Sequence, residues 1–103
     1  MWPFKKKEPK KPVRVNVGIC RIRYTLRTGA IRDGSTYQGY LDPMVGCTRM
    51  WWHPVKAKDI AREAMHRQML RGWFKLDSGT YIPAEDVAEV FLEVTDHYEE
   101  YQP

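Results

Sequence analysis

Apolar and polar residues alternate along residues 13–26, and this alternation constrains the fold more than any other feature of the sequence. The apolar positions are Val13, Val15, Val17 and Ile19 and then, after a change of phase, Cys20, Ile22, Tyr24 and Leu26. A period of two predicts a β-strand with one buried face. Because a shift of one residue would turn the buried side chains outward, the change of phase predicts a bulge or bend near Gly18–Cys20 in one long strand.

Three further segments continue the predicted sheet. Residues 28–34 contain two glycines and the pair Asp33-Gly34, which is typical of a turn. Ser35–Leu41 then predicts a returning strand, which Asp42-Pro43 ends because proline cannot donate a hydrogen bond to a sheet. Later in the chain, residues 73–83 predict a β-hairpin that turns at Asp77-Ser78-Gly79.

Residues 55–71 carry the pattern of an amphipathic helix. Apolar residues recur at helical spacing at Ala57, Ile60, Ala61, Ala64, Met65 and Met69. Charged residues cover the opposite side, so that one face of the helix is expected to pack on the sheet. Gly72 is placed to end the helix, directly after the basic Arg71.

Residues 87–101 fit two patterns, and the sequence leaves open whether residues 88–95 are strand or helix. Helical spacing relates Val87, Val90, Phe91, Val94, Tyr98 and Tyr101. Strand alternation relates Val90, Leu92 and Val94. The β-rich composition of Val90–Thr95 favours this second interpretation, with Ala84–Val87 as a turn.

These patterns predict an α+β fold in a small single domain of order ββαββ(β), with an antiparallel sheet packed on one amphipathic helix. A chain of 103 residues is long enough for one modest core. The domain is expected to span residues 13–97. Residues 1–12, rich in lysine and proline, predict an extended basic N-terminal tail, because prolines restrict the backbone and lysines repel one another. Residues 98–103 are expected to form an acidic C-terminal tail.

Charge is sorted along the sequence. Residues 1–14 have a net charge of +5, residues 15–75 have +7, and eight acids without a base follow Lys75. The basic part suggests nucleic acid as a partner. The sorting suggests a protein partner or self-assembly through oppositely charged regions, because electrostatic complementarity orients an association. Without residues 1–14 the chain has a net charge of −1, which favours oriented assembly.

The primary expectation is therefore a small non-enzymatic domain for protein–protein interaction or assembly. Its candidate contact residues are large aromatic side chains outside the evident core, with one neighbouring arginine: Trp2, Phe4, Trp51, Trp52 and Arg49. Trp51 and Trp52 point in opposite directions in an extended chain, so that one can enter the core while the other faces a partner. The N-terminal tip, with Trp2 and Phe4 before the lysines, also suits peripheral contact with an anionic membrane.

The alternative is a nucleic-acid-binding protein that uses the lysine tail and an arginine-bearing face of the sheet or helix. The candidate residues are Lys5, Lys6, Lys7, Lys10, Lys11, Arg21, Arg23, Arg27, Arg62 and Arg67. Lysines of the tail would neutralise phosphates, and aromatic residues would stack on bases.

The sequence carries no pattern for catalysis or metal binding. Cys47, His53 and His66 do not match the spacing of a zinc site, and Cys47 with His53 lacks the third group that orients a catalytic base. We therefore expect no enzyme, no metal and no cofactor. Cys20 and Cys47 are too few for a disulfide scaffold, and whether they pair is left open.

The layout as a whole resembles that of small accessory proteins of tailed phages. The resemblance rests on the Met-Trp-Pro-Phe-Lys-Lys-Lys leader, one compact α+β domain and a tyrosine-bearing acidic end. It implies a structural or accessory role in the host cytoplasm or the virion. A cytoplasmic location is also expected because no apolar run approaches the roughly 18 residues of a membrane span and the first residues lack a signal peptide's apolar stretch.

Overall fold

Nine β-strands and one α-helix make up residues 11–44 and 51–102, the part of the chain that the computed structural model describes. In chain order they are β1 (Val13–Asn16), β2 (Ile19–Leu26), β3 (Ile31–Gln38), β4 (Tyr40–Met44), β5 (Trp51–Val55), α1 (Ala57–Arg71), β6 (Trp73–Lys75), β7 (Tyr81–Pro83), β8 (Val87–Thr95) and β9 (Tyr98–Tyr101). All strand pairs are antiparallel. The predicted α+β class, with one helix packed on an antiparallel sheet, is confirmed.

The centre of the fold is a three-stranded sheet in the order β3-β2-β8, covered on one face by α1. Alternate residues of β2 point into the core, as the period of two predicts. The buried cluster consists of Cys20, Ile22, Tyr24, Ala57, Ala61, Phe74 and Leu76. The two alanines are fully buried, so that the helix backbone approaches the sheet closely.

The change of phase near Gly18 separates two strands that lie in different sheets. β1 pairs with β9, whereas β2 pairs with β3 and β8. Gly18 has a φ of +75°, a conformation that glycine adopts without strain. The backbone N–H groups of Val17 and Gly18 both donate to the carbonyl oxygen of His97, at 2.8 and 3.1 Å. The predicted bend is therefore present, but it divides the long strand in two.

The predicted turn and returning strand differ from the structure because Gly34 and Gly39 do not act as turn residues. Each lies where another part of the chain leaves no room for a side chain. Gly34 lies within β3, where an added Cβ atom would stand 2.6 Å from the ring of Tyr24. The turn comes earlier, around Gly29, which has a φ of +89°. Gly39 divides the returning strand into β3 and β4, and β4 continues through Pro43 to pair with β5.

The helix and the second hairpin agree with the sequence patterns. α1 begins at Ala57, two residues after the predicted start, and ends at Arg71. Gly72 then adopts the left-handed conformation and donates to the carbonyl oxygen of Met69 at 3.0 Å. β6 and β7 form the predicted hairpin.

From Val87 to Tyr101 the C-terminal part consists of two strands separated by Asp96 and His97. The turn at Ala84–Asp86 is a 3-10 helix, and β8 follows it as the nine-residue edge of the central sheet. The strand interpretation of residues 88–95 is thus confirmed. Residues 98–101, expected in an acidic tail, form β9 because β1 offers them a partner strand with complementary charge. Arg14 of β1 lies 3.6 Å from Glu100 and stacks over the ring of Tyr98.

Candidate functional site

The outer edge of β8 is the most prominent unused feature of the described residues. β8 is the last strand in the order β3-β2-β8, and its nine residues exceed the length of a typical strand. Among residues 11–44 and 51–102, no backbone or side-chain group forms a hydrogen bond with the outer edge of residues 88–95. A long edge of this kind presents a row of free N–H and C=O groups that another chain can pair with.

An apolar groove runs beside the first half of this edge. It has a volume of about 560 Å³ and lies between the second half of α1 and the start of β8. Met65 and Met69 line it on the helix side, Ala88 and Val90 on the strand side, and Phe74 belongs to its lining as well. Two acidic residues, Glu85 and Glu89, also line it, so that the groove is mostly but not entirely apolar. Methionine side chains are flexible and polarizable, and they adapt to apolar groups of different shape. The groove is therefore suited to the apolar side chain of an added segment.

The two faces of the β8 edge differ in chemistry. Val90, Leu92 and Val94 lie opposite the buried positions of β2 and face the helix side. On the open face of the sheet, Glu89, Phe91 and Glu93 alternate with them. Phe91 is 62% exposed, a large fraction for an aromatic side chain within a sheet.

The helix side of the edge changes from apolar to basic along its length. Val94 lines a second pocket near the end of β8 together with Lys56, Lys58 and Asp59. Lys58 and Arg62 also act electrostatically on the neighbouring Cys20. Burial raises the pKa of the Cys20 thiol, and the two cations partly oppose this rise. The helix side of the edge is therefore mostly apolar beside Val90, and it has two lysines against one aspartate beside Val94.

Of the six predicted nucleic-acid contacts that lie among the described residues, four arginines contact an acidic side chain or a carbonyl oxygen of the chain. Arg23 lies 3.1 Å from Asp33 and 3.3 Å from Glu93, and the Nε atom of Arg27 donates to the carbonyl oxygen of Glu85 at 2.6 Å.

On the helix, Arg62 and Arg67 lie 3.9 and 4.0 Å from Asp59 and Glu63. Arg21 shares a shallow pocket with Glu93 on the open face. The open face of the sheet thus carries Arg21 and Arg23 together with three acidic residues, Asp33, Glu89 and Glu93. It is therefore not a basic surface.

Trp52, one of the predicted protein contacts, packs within the chain. Its ring centroid lies 6.1 Å from that of Tyr101, so that the β4–β5 hairpin touches the β1–β9 pair. Lys11 is exposed at the start of the described residues. The other predicted contacts lie outside the described part of the chain: Trp2, Phe4, Lys5, Lys6, Lys7, Lys10, Arg49 and the side chain of Trp51.

A second exposed surface lies on the β6–β7 hairpin. Trp73 and Tyr81 are 52% and 59% exposed and line one pocket together with Arg71, Lys75 and Gln68. The two cations form no ion pair with a described residue. Sequence reasoning placed Trp73 and Tyr81 in a hairpin without assigning them a role. Their alternation with the buried Phe74 and the partly buried Ile82 was the available signal for exposure.

The remaining chemistry of the described residues is limited. They contain no group of three or more His, Cys, Asp or Glu side chains that could hold a metal ion. α1 is the one α-helix among them, and it is too short and too polar to cross a membrane. Comparisons with protein-family models, curated proteins and solved structures found no match to this chain.

Proposed function

We propose that this chain is a non-enzymatic protein-interaction domain whose β8 edge binds an extended segment of a partner protein by strand addition. The observation that supports the proposal is the coincidence of an unpaired edge over residues 88–95 with a mostly apolar groove beside it. In strand addition the main-chain hydrogen bonds supply affinity, and pockets for alternate side chains supply specificity. β8 offers both kinds of contact on the same edge.

The proposal is tested by selecting peptides and then changing the groove. A displayed library of peptides about eight residues long, with alternating apolar positions, covers the length of β8. Selected peptides are expected to bind the wild-type chain and to slow amide hydrogen exchange in residues 88–95. Met69→Glu is expected to weaken them at least about tenfold, because it places a charge where an apolar side chain is buried.

Leu70→Glu is the matched control for this experiment. Leu70 neighbours Met69 on the same helix, but it is 89% exposed and does not line the groove. Equal loss of binding in both variants, or protection of amides outside β8, would contradict the assignment of the edge.

Nucleic-acid binding is a second candidate function, and the β6–β7 surface favours it. Trp73 and Tyr81 offer two exposed aromatic rings beside Arg71 and Lys75, which is the combination that holds single-stranded nucleic acid by stacking and phosphate contact. Binding of an oligothymidine is expected to weaken steeply with salt and to be lost in Trp73→Ala. Binding that is absent at low salt would remove this candidate.

A further inference from the structure

We infer that the segment received by β8 alternates basic and apolar residues, with an acidic residue where it passes Val94 and Lys58. This inference rests on the proposed function and names the chemistry of the partner. It disfavours a second copy of the chain in the register that overlaps the two β8 strands completely.

The strand already paired with β8 shows what chemistry suits it. Arg21 lies opposite Glu93, and Ile22 lies opposite Leu92. β2 therefore places Arg21 and Arg23 on the open face and apolar residues on the helix face. Glu89 lies opposite Thr25, and the register shifts between Thr25 and Leu26, so that Ala88 has no partner in β2. Each side chain of β8 lies on one face of the sheet, where it adjoins the strands on both sides of β8. A strand added on the free side therefore meets the same two rows of side chains as β2 does.

On the open face, the negative charge of β8 is only partly balanced by basic residues of the chain. Glu89 forms no ion pair with a described residue, and Glu93 has the single partner Arg23. A side chain directly opposite in an antiparallel pair stands about 4.5–5.5 Å away between Cβ atoms, within reach of lysine or arginine. Basic residues of the added strand opposite Glu89 and Glu93 would thus form ion pairs with these two glutamates.

The helix face sets the order of residues in the segment. The groove beside Ala88 and Val90, lined by Met65 and Met69, accepts a large apolar side chain. At the other end, Lys56 and Lys58 outnumber Asp59 in the pocket beside Val94, and this excess of positive charge favours an acidic side chain. An antiparallel segment that fits this order has the sequence Thr-Glu-Lys-Val-Thr-Leu-Lys-Val, from the end of β8 to its start.

A second copy of β8 is a poor occupant of the edge. Two antiparallel copies related by a twofold axis normal to the sheet keep their open faces on the same side, so that both pairs of glutamates share one surface. When the axis passes through Phe91, Glu89 of one copy stands directly opposite Glu93 of the other. Like charges in that position destabilise strand pairing.

The test compares two capped peptides, the sequence given above and the same sequence with both lysines replaced by glutamine. At low salt the lysine peptide is expected to bind about fivefold more tightly, since each cross-strand charge pair contributes about 0.5 kcal/mol. High salt is expected to remove the difference. Glu89→Gln is expected to reduce it, whereas Glu63→Gln on the outer face of α1 leaves it unchanged.

The outcomes separate the partner chemistry from the proposed function. If both peptides bind alike and protect the amides of residues 88–95, the inferred charge pattern is wrong and strand addition stands. If neither peptide binds, the proposed function fails with it. Sedimentation of the wild-type chain provides the third measurement, because a dimer in which residues 88–95 are protected without peptide would assign the edge to a second copy.

Discussion

The buried hydroxyl of Tyr24 is the least satisfied group of the core. Its oxygen has no hydrogen-bond partner among the described residues, although the side chain is fully buried. Burial, with a smaller contribution from Tyr37, raises the pKa of Tyr24 to about 12 from its ordinary value of 10. The folded state therefore favours the neutral phenol. The resulting stability is complete below pH 10 and is lost as the pH rises through 12.

Tyr24→Phe tests this alkaline dependence. At neutral pH the variant is expected to be at least as stable as the wild type, because it loses no hydrogen bond. Above pH 10 the wild type is expected to lose up to about 2–3 kcal/mol relative to the variant, since one pKa unit corresponds to about 1.4 kcal/mol. Urea unfolding between pH 7 and pH 12, followed by tryptophan fluorescence, measures the difference. Parallel curves for the two proteins would show that Tyr24 does not titrate in this way.

Gly39 is required because three backbone segments meet around it. An added Cβ atom would stand 2.2 Å from the carbonyl oxygen of Val17 and 2.7 Å from that of Val55. Neither carbonyl can move aside as a flexible side chain would. Gly39→Ala is therefore expected to lower the free energy of unfolding by more than about 3 kcal/mol. Gly29→Ala, which meets no atom within 4 Å but has a φ of +89°, is expected to cost about 1–2 kcal/mol in thermal or urea unfolding.

At the scale of elements, β8 shows what local sequence can and cannot decide. The helical pattern predicts Phe91 as a core residue, and the strand pattern predicts Leu92. The structure pairs Leu92 with the buried Ile22, about seventy positions earlier in the chain, and leaves Phe91 exposed. The periodicity of residues 87–101 carries no information about Ile22, because the pairing is non-local.

The pair Leu92→Ala and Phe91→Ala tests the strand directly. Leu92→Ala is expected to cost about 2 kcal/mol through lost burial and a cavity beside Ile22. Phe91→Ala is expected to change the free energy of unfolding by less than about 1 kcal/mol, as for most exposed positions. The reverse ranking in urea unfolding would support a helix.

The same distinction explains the rest of the sequence predictions. The helix, its glycine end and the hairpin after it depend on neighbouring residues, and the sequence predicted them. Gly34 and Gly39 resembled turn or strand residues, but each is needed because another part of the chain approaches it. The candidate site was missed for a related reason. Met65 and Met69 fitted the core face of α1, and no local pattern shows that the strand beside them has a free edge.

At the scale of the whole molecule, the acidic end lies partly across the arginines of its own chain. Glu93 contacts Arg23 in the central sheet, and Glu100 contacts Arg14 between β1 and β9. These exposed ion pairs contribute little stability each. Their effect is on the surface, because they neutralise arginines that would otherwise attract phosphates. The fold thus places some of the acidic residues of the C-terminal part beside basic residues of the N-terminal part.

Glu89 and Glu93 lie on the free edge of β8, and we expect these two glutamates to keep the edges of two copies apart, although Glu93 also contacts Arg23 of its own chain. Natural sheets use edge charges in this way to prevent pairing between copies. Glu89→Lys would place a lysine opposite Glu93 of the second copy in the twofold arrangement, and symmetry makes this contact occur twice.

The wild type is expected to sediment as a monomer at low and high salt. The Glu89→Lys variant is expected to dimerise at low salt and to dissociate as salt screens the new pairs. Glu63→Lys, with the same change of charge on the outer face of α1, is expected to remain a monomer. A wild-type dimer, or equal association of both variants, would show that the glutamates do not protect this edge.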